Sequence, residues 1–217
     1  MPAMAKRLFD LIVSGLALLL LSPLLLAVAL WIKLDSPGPV FFRQQRVGRH
    51  GVPFAIHKFR SMRVDAPLQG PLLTVGADPR ITRAGGFLRR TRIDELPQLI
   101  DVLRGCMSLV GPRPEVPRYV AHYPGSLRDR VLAVRPGITD PASLDFIDEA
   151  TLLAAAVDAE REYIDHILPR KLQSAAAYAE RATLATDLAV LGRTVVALLR
   201  QAFARPSAAR RPEEPRR

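Results

Sequence analysis

The sequence predicts an α+β chain, mostly helical, anchored in a membrane by its N-terminus. Three observations predict this. Residues 11 to 32 form an apolar run with no charged side chain, long enough to cross a bilayer as a helix, which takes about 20 residues. Two short apolar runs, Val40-Phe41-Phe42 and Pro53-Phe54-Ala55-Ile56, flank Gly48-Arg49-His50-Gly51, which reads as a β-hairpin. From Thr151 to Phe203 the pattern is helical, with a break expected at Pro169. Its last part carries an apolar stripe (Leu184, Leu188, Leu191, Val195, Leu198, Leu199) faced by Arg181, Arg193 and Arg200, the signature of a core helix or of one lying in a membrane interface.

The N-terminal run is not a cleavable leader. A signal peptide has an apolar core of about 7–15 residues and a small-residue cleavage site; this run is longer and ends in Trp31-Ile32-Lys33. Ser22-Pro23 sits at its middle. Proline removes a helical hydrogen bond and clashes with the preceding turn, so a bend is expected there, and Ser22 can satisfy a freed carbonyl. Lys6 and Arg7 precede the run; Lys33, Arg43 and Arg46 follow it. The positive-inside rule therefore places both ends on one side. A re-entrant hairpin and a kinked spanning helix both remain open on this pattern.

Asp35-Ser36-Pro37-Gly38-Pro39 ends the helix with turn chemistry. Lys58-Phe59-Arg60-Ser61-Met62 follows the hairpin as a basic cluster, in most proteins no more than a solvated charged edge. Residues 65 to 83 hold Pro67, Gly70, Pro71, Gly76 and Pro79 without periodicity and read as a loop, a candidate lid over substrate. Helical pieces are expected between Val116 and Val134, broken at Pro124-Gly125, and a short extended piece over 143 to 148.

The stretch from Gly85 to Glu115 carries the chemistry. Asp94-Glu95 lies between Arg89, Arg90 and Arg92 upstream and Arg113 downstream, inside Gly111-Pro112-Arg113-Pro114. Leu96, Leu99, Ile100 and Leu103 repeat at i, i+3, i+4, i+7, a short amphipathic helix with Pro97 in its first turn and Gly105 as its stop. Asp94 then sits near the N-cap. As a plain cap it would contribute about 0.5–2 kcal/mol. The alternative is catalytic: a carboxylate among arginines that clamp phosphoryl oxygens can attack phosphorus, and adjacent carboxylates suit Mg²⁺ completed by substrate phosphates.

The charge balance is +10 with a pI near 10.7. That fits nucleic acid, an anionic membrane or phosphorylated substrates. The basic residues form no single helical stripe and no nucleic-acid motif is present. With one cysteine, Cys106, the chain makes no internal disulfide and no cysteine-based metal cluster, and its four histidines show no metal-ligand spacing.

Taken together, Lys6-Arg7-Leu8-Phe9-Asp10, Ser22-Pro23, Asp35-Ser36-Pro37-Gly38-Pro39-Val40-Phe41-Phe42-Arg43-Gln44, Lys58-Phe59-Arg60-Ser61-Met62, Asp94-Glu95-Leu96-Pro97-Gln98, Met107-Ser108-Leu109-Val110-Gly111-Pro112-Arg113-Pro114 and Arg135-Pro136-Gly137-Ile138-Thr139 closely resemble the bacterial sugar transferase family, the small monotopic phosphoglycosyl transferases. The likeness runs from about Lys6 to Phe203 and looks like the minimal catalytic form. It implies transfer of a sugar-1-phosphate from a UDP-sugar to undecaprenyl phosphate with release of UMP, a first step of surface polysaccharide or glycoconjugate synthesis.

The resemblance further implies that Asp94 is the nucleophile of a covalent phosphosugar intermediate. Glu95 helps hold Mg²⁺ with Asp94, or positions the groups, and Arg113 binds phosphate. Lys58, Arg60, Arg92 and Arg135 are expected to join that anionic pocket. Ser22-Pro23 makes the anchor re-entrant, so the fold is a monotopic one on the cytoplasmic face of the bacterial inner membrane. The expected organisation is a re-entrant membrane helix over residues 1–35, a catalytic core over 36–150, C-terminal amphipathic helices over 151–204 and a disordered basic tail over 205–217. Expected partners are the two substrates and membrane lipids, with a homodimer admitted and no nucleic acid.

The departures from the family pattern are Cys106 in place of an acidic residue, Asp101 where asparagine is commoner, and the run Asp140-Pro141-Ala142-Ser143-Leu144. The first two replace no motif acid or arginine. The third leaves the sugar open. The competing reading is a membrane-tethered basic binding module without catalysis, for which Asp94→Asn would be silent.

Overall fold

The computed structural model describes residues 2–66, 70, 72–146 and 149–203; the tail expected over 205–217 lies outside them. The expected fold class holds at its coarse level: helices dominate, with one long apolar N-terminal helix and a short antiparallel hairpin.

Helix α1 (Pro2–Asp35) is continuous over 34 residues and carries Pro23 inside it. Proline at 23 has no N–H for the Leu19 carbonyl, four residues back. The Ser22 hydroxyl donates to that carbonyl at 2.8 Å, so the freed group is satisfied locally, as the sequence led us to expect.

Both ends of α1 are tied to the same globular body. Near the N-terminus, Phe9, Val13, Ala17 and Leu18 pack on a cluster of Leu99, Leu109, Val110, Tyr178 and Val190. Lys6 donates to the Val110 carbonyl at 3.0 Å and pairs with Asp187. Near the C-terminus, Val28 and Ile32 pack with Phe59 and Leu88, and the Asp35 carboxylate accepts from the Ala84 N–H at 3.1 Å. Between them Leu19, Leu20 and Leu26 are bare, each 70% exposed or more.

Strands β1 (Phe41–Val47) and β2 (Pro53–Phe59) form the expected hairpin, antiparallel with Phe42 opposite Lys58. Helix α2 (Arg83–Arg90) was not expected: Arg-Ala-Gly-Gly-Phe-Leu-Arg-Arg has two interior glycines, which disfavour helix by roughly 1 kcal/mol each. Two caps override that. The Thr82 hydroxyl accepts from Gly85 N–H at 3.0 Å, and Asp35 reaches Ala84 from α1.

A single 3₁₀ turn (Ile93–Glu95) separates α2 from α3 (Gln98–Leu103). Asp94 is therefore not the N-cap of the amphipathic helix; Pro97 occupies that position. A proline there breaks the helix early, which leaves the carboxylates in the tighter turn before it. Gly105, at φ +85°, ends α3 as expected.

Strand β3 (Ser108–Val110) pairs in parallel with β4 (Gly137–Thr139), Ser108 opposite Gly137. The two motif glycines explain each other. A Cβ on Gly111 would lie 2.3 Å from the Arg135 carbonyl oxygen, and one on Gly137 would lie 2.1 Å from the Gly111 nitrogen. The two proline-rich turns thus touch backbone to backbone, a contact only glycine permits.

The remainder is helical: α4 (Pro117–Val120), α5 (Gly125–Leu132), α6 (Pro141–Asp145), α7 (Glu149–Ala154), α8 (Ala159–Glu162), a π-helical turn (Tyr163–Ile167), α9 (Leu168–Arg181) and α10 (Leu184–Phe203). Of the extended piece expected over 143 to 148, residues 143 to 145 lie in helix α6 instead, and 147 and 148 fall outside the described residues. Asp140 caps it, accepting from Ser143 N–H at 2.7 Å, with Pro141 at the first position. In place of the break expected at Pro169, the described helices part at residues 155–158 and at Ala182-Thr183. Pro169 sits in the first turn of α9, where the wider π turn has already shifted the hydrogen-bond pattern. The main core gathers Tyr119, Val120, Val131, Leu153, Tyr163 and Leu172 with their neighbours. On α10 no residue of the expected stripe is fully buried: Leu188, Val195 and Leu199 are exposed and Leu184, Leu191 and Leu198 half-buried, while Asp187 and Val190, outside the stripe, face inward.

Candidate active site

Three segments converge. Strand β2 supplies Lys58, the 3₁₀ turn supplies Asp94 and Glu95, and the turn after β3 supplies Arg113. Arg92 opens the 3₁₀ turn in a left-handed conformation, φ +58°, a region that non-glycine residues visit rarely and at a cost of about 1–3 kcal/mol.

Lys58 bridges the two carboxylates, 2.9 Å from Asp94 Oδ2 and 3.2 Å from Glu95 Oε1. Arg113 forks onto Glu95, with Nη1 3.2 Å from Oε2 and Nη2 on Oε1. Arg92 Nη1 lies 3.7 Å from Glu95 Oε1. Burial alone would raise the Glu95 carboxyl, but Arg113, Lys58 and Arg92 outweigh it and hold it well below the usual carboxylate range. The same Glu95 carboxylate raises Arg113 above the usual guanidinium value. Arg89 is pulled the other way by burial, with Asp94 among the charges that oppose this.

Asp94 differs from its neighbour. It is 1% exposed, and its Oδ1 has no hydrogen-bond partner. A buried bare carboxylate oxygen costs free energy, so the fold holds here a group ready to bond something else. Its setting is cationic throughout. Among the described residues no cluster of three or more histidine, cysteine or acidic side chains is arranged to hold a metal unaided.

Of the expected site residues, the structure brings together Asp94, Glu95, Lys58, Arg92 and Arg113. It does not bring in the other two. The Arg60 guanidinium donates to the carbonyls of Ser36 (2.8 Å), Ile32 (3.4 Å) and Pro37, capping the C-terminal end of α1. Arg135 donates through Nε to the Gly105 carbonyl at 2.9 Å and lies near Arg7 and Arg49. Both were assigned to the pocket because they stand in basic motifs; both instead satisfy helix-end or turn carbonyls.

Sequence reading missed the groups that hold the Arg113 turn. Asp140 Oδ2 accepts from the Arg113 N–H at 3.3 Å. Arg46 donates to the Pro114 carbonyl at 2.9 Å and lies 3.6 Å from Glu115. The signal for Asp140 was present: an aspartate before proline is an N-cap pattern. Arg46 carried none, because its partners are some seventy residues away.

A family model described as bacterial sugar transferase matches residues 1–201. The chain is 46% identical over 142 residues to the UDP-glucose:undecaprenyl-phosphate glucose-1-phosphate transferase of Escherichia coli strain K12, a match covering 64% of this chain and 31% of that protein. It is 57% identical over 114 residues to the exopolysaccharide production protein PSS of Rhizobium leguminosarum bv. phaseoli, covering 52% of this chain and 57% of the relative. It is 45% identical over 139 residues to the UDP-N-acetylgalactosamine-undecaprenyl-phosphate N-acetylgalactosaminephosphotransferase of Aeromonas hydrophila, covering 63% and 33%. The matches thus span between 31% and 57% of these relatives' lengths.

Proposed function

The chain belongs to the bacterial sugar transferase family, and on that premise we propose that it moves a sugar-1-phosphate from a UDP-sugar to undecaprenyl phosphate through a covalent intermediate on Asp94. The observation that carries the reading is the bare, buried Asp94 Oδ1 beside a cage of Lys58, Arg92 and Arg113. A nucleophile that attacks a pyrophosphate must meet an anion with an anion. Fixed cations around it lower that barrier without reorganising in the transition state.

In the first half-reaction Asp94 Oδ1 attacks the phosphorus bonded to the sugar. An oxygen–phosphorus bond forms, the pyrophosphate bond breaks, and UMP leaves with the bridging oxygen. In the second, a phosphate oxygen of undecaprenyl phosphate attacks the same phosphorus and frees the Asp94 carboxylate. Lys58 on Oδ2 keeps that carboxylate aimed. Glu95 orients Arg113 and Lys58, whose remaining N–H groups face the phosphoryl oxygens. Mg²⁺ fits a donor set of two adjacent carboxylates, one with a bare oxygen, completed by substrate phosphates; Asp94 and Glu95 would hold it, and it would supply positive charge to the pyrophosphate.

We further propose that α1 is re-entrant. A straight helix of its length runs about 50 Å, yet Lys6 and Asp35 both bind the same domain, and the basic residues flank both ends. The bare middle around Ser22-Pro23 then enters one leaflet, and the site stays at the level of lipid phosphates on the cytoplasmic face of the inner membrane. The donor sugar stays open. Relatives named for glucose and for N-acetylgalactosamine are 46% and 45% identical to this chain, so overall identity does not select between them.

The test is UMP release from a panel of UDP-sugars with undecaprenyl phosphate and Mg²⁺, for wild type and Asp94→Asn. Release with one donor, abolished in the variant, is expected. With donor alone, intact mass should rise by one sugar-phosphate on the wild type only. Release that survives in Asp94→Asn would remove Asp94 as nucleophile; no release from any donor by folded, membrane-inserted protein would favour a binding module.

A further inference from the structure

Tyr163 lies far from the motifs in sequence, and 1% of its surface is exposed. It opens the π-helical turn Tyr163–Ile167, an uncommon geometry that recurs at functional places. Its ring packs on Tyr119, 4.9 Å between centroids, and the Lys171 ammonium, which also pairs with Glu149, lies over it at 5.1 Å. Its hydroxyl donates to Glu115 Oε1. Glu115 closes the run Gly111-Pro112-Arg113-Pro114-Glu115.

That run is held at every residue after Gly111. The Pro112 carbonyl accepts from Gly137 N–H at 3.0 Å, and the Glu115 carbonyl from Val47 N–H at 2.9 Å. Asp140 holds the Arg113 N–H and Arg46 holds the Pro114 carbonyl. Glu115 is the member of the run whose side chain meets Tyr163. Its carboxylate faces Arg46 at 3.6 Å, and Arg46 reaches back to the Pro114 carbonyl. Without the phenol, Oε1 loses its donor in a site that is mostly buried, and the carboxylate must turn to find another.

From this chain of contacts we propose that Tyr163 is a positioning residue for Arg113, acting through Glu115 and Arg46. The proposal rests on the phosphoryl-transfer reading above. The π turn sets where the phenol stands, the phenol fixes the Glu115 carboxylate, and that carboxylate with Arg46 fixes the turn from which Arg113 reaches Glu95 and the substrate. A helix of the C-terminal region thereby sets the geometry of the catalytic cage.

The experiment compares steady-state UMP release by wild type, Tyr163→Phe, Glu115→Gln and Lys171→Met, each also with Arg113→Lys. Tyr163→Phe keeps the ring and its packing. It is expected to lower kcat by roughly ten- to a hundredfold, the scale of a catalytic group displaced by under an ångström or so, with little change in the donor KM. Glu115→Gln keeps an acceptor for the phenol and should lose less. Lys171→Met removes the charge over the ring but leaves the Tyr163–Glu115 bond, and should turn over as wild type does.

In the Arg113→Lys background Tyr163→Phe should cost little further, because the guanidinium fork it aims is gone. Equal losses in both backgrounds, or Lys171→Met matching Tyr163→Phe, would mean that Tyr163 only stabilises the fold, and would overturn the proposal. So would wild-type turnover in Tyr163→Phe, which would leave the reaction itself standing. Absent turnover in the wild type would remove the reaction and the role of Tyr163 with it.

Discussion

The seam between α1 and β3 and the turn between α2 and α3 each bury an aspartate, and they treat it in opposite ways. At the seam, Asp10 is 2% exposed. Its Oδ2 accepts from the Ser108 hydroxyl at 2.8 Å and its Oδ1 from Leu109 N–H at 3.3 Å. Beside it Asp187 takes Lys6 and the Tyr178 hydroxyl. In the turn before α3 Asp94 is equally buried, yet only Oδ2 is engaged. A buried polar atom is normally paired. Among the described residues Asp94 Oδ1 is the only buried carboxylate oxygen left without a partner. The difference separates acids that hold the fold from the acid that the fold holds in readiness.

The same substitution at both places is the strongest way to break that contrast. Asp94→Asn should lower turnover by at least about 10³-fold, since it removes the proposed nucleophile, while the thermal midpoint stays near that of wild type or rises. Asp10→Asn should do the reverse. Its amide keeps one acceptor and loses the other, costing about 1–3 kcal/mol of stability, with turnover per folded molecule unchanged. Paired melts and UMP-release rates decide. A stability loss in Asp94→Asn equal to that of Asp10→Asn would make Asp94 one more structural acid.

The contrast also shows where sequence reading reaches. The long apolar N-terminal helix, the hairpin and the α3 stop at Gly105 were legible, because hydrophobic run length, turn residues and left-handed glycine are local. So was the Asp94-Glu95 pair, whose members are adjacent. Its partners were legible only in part: Lys58, Arg92 and Arg113 were expected beside it and are there, but Arg60 and Arg135 were expected too and are not. Lys58 and Arg60 stand two residues apart in one basic cluster, and nothing local says that one meets the carboxylates while the other caps α1. That outcome depends on the bare carbonyls of Ile32, Ser36 and Pro37 arriving beside Arg60. Helix α2 hid for the same reason: one of its two caps comes from Asp35, on another element.

A second way to sharpen the contrast uses pH. Glu95 is buried like Asp10, but three cations hold its carboxyl well below the usual carboxylate value of 4.5. A depressed folded-state pKa stabilises the native state above the unfolded value. That contribution is complete above pH 4.5 and is lost as pH falls through the lower folded pKa. Thermal midpoints from pH 7 to pH 3 should therefore fall more steeply for wild type than for Glu95→Gln once pH drops below 4.5. Parallel curves would show that the cage does not hold Glu95 ionised.

The smallest expected effect tests whether a fully engaged acid tolerates an amide. Asp101 is 1% exposed. Its Oδ2 accepts from the His57 N–H at 2.8 Å, and its Oδ1 lies 2.6 Å from His57 Nδ1. Arg104 Nη1 lies 3.4 Å from the other ring nitrogen. Arg104 can only donate, so Nε2 accepts and the ring proton sits on Nδ1, facing Asp101. In Asp101→Asn the amide oxygen keeps the backbone bond, but its NH₂ now faces Nδ1. The proton must move to Nε2, where it meets the Arg104 donor. One weak bond is exchanged for one mismatch, about 0.5–1.5 kcal/mol. Lys58 keeps its place, because the bond that fixes its strand to α3 is the backbone one. Turnover should stay within about twofold of wild type, with a fall in thermal midpoint of a few degrees at most, about 2–4 °C per kcal/mol for a chain of this size. A large loss of turnover would show that the His57 ring, and not the strand alone, sets the position of Lys58.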